Sequence, residues 1–263
     1  MTLLLKLVLA PLLVVGSSLA GRRWGDRVTG VLVAFPIVAG PILLIISVEH
    51  GVAFGARAAA ASLLGLVSLA VFAVVFAYAG RRWRWPGALA VAWLATGLAD
   101  IVLAGQSLAA GWALLLVMAT IWAGRRLVAV IDEGPSSAGT VRSPWWDLPG
   151  RAVATAALVL FVTGIAATAG PVVTGILAPF PIATSVVAGF VHAQQGAPAV
   201  IRTMAGVLHG LAGFAVFCFL ISVLLVPAGV GLAFVVAVAG VLVSQAALVL
   251  ARGRRPAVGG PAR

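Results

Sequence analysis

Acidic side chains are nearly missing from this chain, which holds six Asp and Glu in 263 residues. No paired carboxylates, no Ser-His-Asp order and no phosphate-binding loop can be traced, so the usual supports for an enzyme are gone. Cysteine is scarcer still. Cys218 stands alone, which excludes an intramolecular disulfide and any multi-cysteine metal site. Of the three histidines, His50 and His192 fall at helix ends on opposite faces, and His209 is solitary in its helix. With no Cys or carboxylate at ligand spacing, neither a metal nor another cofactor is expected. Charge of either sign makes up 9% of the residues, against about a quarter in a soluble domain.

What fills the chain is apolar: 63% of the residues are hydrophobic and the mean hydropathy is +1.19. That composition describes an all-α polytopic membrane protein whose first partner is the lipid bilayer. The net charge of +11 would suit a nucleic acid only on a basic, water-exposed face, and no such face is left over, so no nucleic-acid partner is expected. A hydrocarbon core about 30 Å thick takes roughly 20 apolar residues per helix. Nine stretches qualify, at 3–20, 28–47, 58–79, 87–104, 107–124, 152–169, 172–191, 203–226 and 229–250. The first resembles a secretory signal with a cleavage site at Ser18-Leu19-Ala20. Its basic start is thin and GRRWGDR follows at once, so it reads as a span.

Basic residues orient such a chain. Nine spans put the loops 21–27, 80–86, 125–151 and 192–202 on one side with the C-terminal tail. That side carries fifteen arginines: 22, 23, 27, 81, 82, 84, 125, 126, 142, 151, 202, 252, 254, 255 and 263. The other side carries two cations, Lys6 and Arg57. The expected orientation is N-terminus outside and C-terminus in the cytoplasm of a bacterial inner membrane. Six tryptophans (Trp24, Trp83, Trp85, Trp122, Trp145 and Trp146) fall at the cytoplasmic boundary, where amphipathic rings settle.

The chain also matches itself. Shifted by 145 residues, VTGVLVAFPI (28–37) lies over VTGILAPFPI (173–182), and residues 28–77 show 16 identities in 50 positions. Chance in so biased a composition gives roughly five or six, so this is an internal duplication. The shift carries each helix five spans onward. An odd number inverts orientation, so helices 1–4 and 6–9 are expected as antiparallel repeats joined by helix 5, a 4+1+4 layout. The units are 1–104, a linker helix and loop over 105–151, an inverted second repeat over 152–251, and a basic tail over 252–263. Charge agrees with the inversion: Arg22, Arg23 and Arg27 become Ala167, Thr168 and Val172, and Arg81, Arg82 and Arg84 become Val226, Pro227 and Gly229. The two outside cations are the ones with basic counterparts, Lys6 with Arg151 and Arg57 with Arg202. They serve either a function or interfacial snorkelling to headgroups.

Leu3-Leu4-Leu5-Lys6 opening the first helix, Phe35-Pro36 within the second, Glu49-His50-Gly51 after it and Arg57 opening the third resemble the GlpM-like family. The resemblance covers about residues 1–104, and more loosely 148–250 through Phe180-Pro181, Gly196 and Arg202, with Arg151 in place of Lys6. It implies a fused tandem of two small four-helix inner-membrane units, a family linked by name to glycerol metabolism and without an established biochemical activity. Small multidrug transporters share the layout alone, and helices 1 and 6 lack the coupling carboxylate those proteins use.

Phe35-Pro36 and Phe180-Pro181 fall near the middle of helices 2 and 7, where proline removes a donor and frees a carbonyl about four residues earlier. Paired interruptions in corresponding helices point to a midplane site, although kinked packing without a ligand gives the same pattern. Asp100 is the only carboxylate within a span. It and its counterpart Gln245 join the candidate substrate-binding residues, unless Asp100 reaches water at the outer helix end. Ala61-x-x-x-Gly65 and Gly206-x-x-x-Gly210 are small-residue faces for close packing, expected on each other across the pseudo-twofold. The function expected is movement of a small solute, an anionic one if the paired cations attract it at two entrances, by a monomer containing a pseudo-dimer. The rival is a non-transporting scaffold or regulatory partner of a metabolic enzyme.

Overall fold

The computed structural model describes residues 2–36, 39–103, 105–106, 108–132, 144–168 and 181–253. Every element among them is helical: α1 (Thr2–Trp24), α2 (Asp26–Val33), α3 (Ala39–His50), α4 (Val52–Ala79), α5 (Trp85–Leu103), α6 (Ala110–Ile131), α7 (Asp147–Thr168) and α8 (Ile182–Gly253). Four stretches are long and apolar enough to cross a membrane: α4, α5, α6 and Ile182–Ser244 of α8. That suits an integral membrane protein. It departs from the nine separate spans expected, and two local causes account for much of the difference.

The first is proline. The stretch 28–47 is two helices, because α2 ends at Val33, residues 34–36 form a turn, and α3 begins at Ala39. Pro36 has no N–H to continue the ladder, and the Phe35 amide bonds back only as far as the Leu32 carbonyl. The second is glycine. Helical backbone runs on from the end of 172–191 through 203–226 and 229–250 within α8, but the chain turns back on itself where Gly196 (φ 79°) and Gly229 (φ 74°) leave helical geometry: Gly240 lies against Val216 and Leu220, and Phe234 meets Phe217 edge-on. Backbone in that region is open to glycine and strained for any other residue. Gly51, between α3 and α4, takes the same conformation (φ 88°, ψ 159°). The fifth stretch also runs further than expected, since α6 continues to Ile131 with Arg125 and Arg126 inside it.

The core lies between α4 and the middle of α8. Ala59, Leu63, Leu66, Ala70, Ala73 and Ala77 recur at three- and four-residue intervals on one face of α4 and are buried. Met204, Leu208, Leu211, Ala215, Cys218 and Ile221 do the same on α8. The two helices run antiparallel, since Gly55 lies beside Leu225 and Gly80 beside Val200. Outside this core the surface is apolar in quantity, with Leu94, Leu98, Ile101 and Val102 on α5, Leu115 on α6, and Val235 and Leu242 on α8 all exposed. In water such a surface would be an aggregation liability; against lipid it is a solvated one.

Close packing through glycine sits elsewhere than expected. A Cβ at Gly206 would stand 2.1 Å from the Arg27 carbonyl oxygen, and one at Gly210 would stand 2.5 Å from that of Val31. From the other side, a Cβ at Gly30 would stand 1.9 Å from the Thr203 carbonyl oxygen. Gly206 and Gly210 therefore hold α2 against α8. Ala61 is exposed and Gly65 half-buried on α4. A small-residue stripe permits close approach but does not select the partner.

Candidate functional site

The ion pairs of the described residues gather at one end of the bundle. Asp147 opens α7, where a carboxylate also meets the positive end of the helix. It is almost wholly buried and accepts from three donors. Arg22 Nη2 reaches one carboxylate oxygen at 2.8 Å, and Arg151 Nε and Gln194 Nε2 reach the other at 2.8 and 2.5 Å. Burial alone would push the Asp147 carboxyl up, but the donors Arg22, Gln194 and Arg151 outweigh it and hold the group below the usual carboxylate range.

Arg151 is the most deeply placed cation of this group, with 3% of its side chain exposed. Its guanidinium lies over the Phe190 ring at 5.1 Å, and its Nη1 has no hydrogen-bond partner. Gln194 Oε1 and His192 Nδ1 are likewise buried without one, and His192 packs edge-on against Phe76. A second knot lies beside the first. Arg202 donates through Nε and Nη2 to one oxygen of Asp26 at 3.0 and 2.7 Å, and Arg27 pairs with Asp132. These ion pairs bring the loops 21–27, 125–151 and 192–202 to the same end. Exposed tryptophans surround that end, with Arg23 over Trp24 and Arg126 over Trp122.

The residues singled out from sequence are distributed unevenly around this arrangement. Arg151 and Arg202 are in the two knots, whereas Arg57 is exposed near the opposite end of α4. Pro36 is buried and Phe35 half-buried in the turn between α2 and α3. Pro181 is buried immediately before α8, one turn from Ser185, whose hydroxyl accepts from Trp93 of α5 at 2.9 Å. Asp100 is buried on α5 beside the buried Ser68 of α4. Nothing in the described contacts joins Asp100 to Pro36 or Pro181. Phe180 lies outside the described residues, as do the side chains of Lys6 and Gln245.

Asp26, Asp132, Asp147, Gln194 and Arg22 are the members that sequence reasoning passed over. One signal was available: four of only six acids, Asp26, Asp132, Glu133 and Asp147, fall in the arginine-rich loops. Chemically, the cluster can fix cations and present unpaired donors and acceptors. Among the described residues no group of three or more His, Cys, Asp or Glu could hold a metal ion. No known family model matches the chain, and no characterised protein or solved structure shows significant similarity to it.

Proposed function

We propose that the chain is a tandem of two GlpM-like units, built as inverted four-helix repeats around α6, which moves a small solute across a bacterial inner membrane. The observation that carries the inversion is the pairing of equivalent helices. α1 and α7 start 145 residues apart, and the end of α1 meets the start of α7 through Arg22 and Asp147. α4 starts 145 residues before Ala197, and it lies antiparallel to that part of α8. The positive-φ glycines Gly51 and Gly196 keep the same spacing, and α6 has no counterpart. A broken helix at Phe35-Pro36 and a buried carboxylate at Asp100 supply the features a solute path needs. The cationic end, with its many arginines, is the cytoplasmic one in this reading.

Two experiments test it. In a Cys218→Ser background, Ala53→Cys should label from outside and Ala197→Cys from inside; labelling of both from one face removes the inversion. Reconstituted vesicles should take up a member of a panel of small anions and polyols, and uptake of none removes transport. The second reading, a scaffold or regulatory partner of a metabolic enzyme, is favoured by one observation. α2 rests on α8 at backbone contact through Gly30, Gly206 and Gly210, a seam with no room for a solute.

A further inference from the structure

Beside the second ionic knot is a cavity of about 120 Å³. Arg81, past the end of α4, forms one wall, and Ile131 and Asp132, at the end of α6, form another. Pro198, Ile201 and Arg202 of α8 close it. The volume corresponds to about four waters. A single tetrahedral oxyanion fits such a space; a nucleotide does not.

Charge selects the occupant. Arg202 is balanced by Asp26 and Asp132 by Arg27, while Arg81 has no acidic partner within 4.0 Å among the described residues. Among the described residues one positive charge is therefore left at the cavity. α8 resumes helical geometry immediately after Gly196, so the positive end of the piece beginning at 197 lies in the same wall. Guanidinium groups present planar forks of donors that match phosphate oxygens. Arg81 and Arg202 both line the cavity, with the Nε and Nη2 of Arg202 taken by Asp26. Location supplies the ligand's route. Trp83 and Trp85 are exposed beside Arg81, as side chains at a membrane–water boundary are.

We infer that this cavity binds a phosphate-class anion, either free phosphate or the phosphodiester of an anionic lipid, through Arg81 and Arg202. The site belongs to one end of the molecule only. The positions equivalent to Arg202 and Arg81 under the 145-residue shift are Arg57 and Val226, so the equivalent pair holds one cation in place of two. It does not depend on solute movement, and a protein that transports nothing could hold it.

The test uses the full chain in detergent and in vesicles. Inorganic phosphate binding is measured by calorimetry, and retention of phosphatidylglycerol over phosphatidylcholine by native mass spectrometry. Arg81→Ala breaks no ion pair among the described residues, so it should leave the melting temperature unchanged. It should weaken binding by about tenfold, the loss of one charge-assisted contact. Arg82→Ala, an exposed neighbour outside the cavity, is the control. Phosphate binding in detergent that depends on Arg81 identifies the free anion, and lipid retention alone that depends on Arg81 identifies the headgroup. Absence of both, or equal weakening by Arg81→Ala and Arg82→Ala, overturns the proposal.

Discussion

Arg22, in the last turn of α1, donates to Asp147, in the first turn of α7, at 2.8 Å across 125 residues of chain. The two ends of this pair are unequal: 38% of the Arg22 side chain is exposed, against 1% for Asp147. Arg151 shares the same carboxylate from deep within the bundle. The carboxylate is therefore the group whose loss is felt, because it leaves a buried guanidinium without its counter-ion.

Asp147→Ala is expected to destabilise the protein by about 3 kcal/mol or more, the cost of stranding a buried charge. Arg22→Ala removes a half-exposed partner and should cost about 1 kcal/mol or less. Thermal unfolding in detergent checks the order. Equal losses would mean that Arg151 finds another acceptor. Adding Arg151→Met to Asp147→Ala should recover part of the stability, since a well-packed apolar side chain no longer needs the carboxylate.

Acid should act on the same group. The folded-state pKa of Asp147 is lowered, so its stabilising contribution is complete at neutral pH and persists down to the ordinary carboxylate value, roughly pH 4. Below that it is lost as the pH falls through the folded value. The melting-temperature gap between the native chain and Asp147→Asn should be constant from pH 7 to about pH 5 and narrow below about pH 4. A gap that widened on acidification would reverse the sign.

The seam between α2 and α8 is expected to be intolerant of a single methyl group. Gly206→Ala would set a Cβ 2.1 Å from a backbone oxygen, which cannot rotate away, so a loss of about 1–3 kcal/mol follows. Gly97→Ala on α5 meets nothing within 4 Å and should be neutral or slightly stabilising through helix propensity. Limited proteolysis alongside thermal unfolding would read both variants.

Asp100 separates the two functional readings. It is buried and makes no ion pair among the described residues, so an apolar replacement relieves a desolvated polar group. Asp100→Leu should raise the melting temperature by a few degrees, equivalent to about 1 kcal/mol. If the residue serves a solute path, uptake in reconstituted vesicles should fall at the same time. Greater stability with unchanged uptake would remove Asp100 from the path.

The sequence was most legible where the chain itself imposes the geometry. Pro36 has no N–H for the helical ladder, so a break near Phe35-Pro36 could be read before any packing was known. Gly196 and Gly229 lie in or beside the breaks read between the last three apolar stretches, and the chain reverses there; only the immediate return to helical geometry on either side went unread. The partner of Gly206 and Gly210 was illegible for another reason: small residues allow approach without specifying to what, and α2 was hidden inside a longer apolar run. Apart from Asp147 and Arg151, four residues apart on α7, the ion pairs depended on tertiary approach. Asp26 and Arg202 are 176 residues apart, and a sequence that reads its arginines as topology markers has no cause to give them partners.

The clustering of Asp26, Asp132 and Asp147 at a single end also has a mechanical meaning. There, α1 and α2 are stapled to α6, α7 and α8 by charge-assisted bonds. Near the far end, Glu49 and Arg57 make no ion pair among the described residues, and helices are held there by apolar contact. Apolar contacts slide where ion pairs resist, so relative movement of these helices would open like shears with the pivot at the stapled end, its amplitude growing with distance from Asp147.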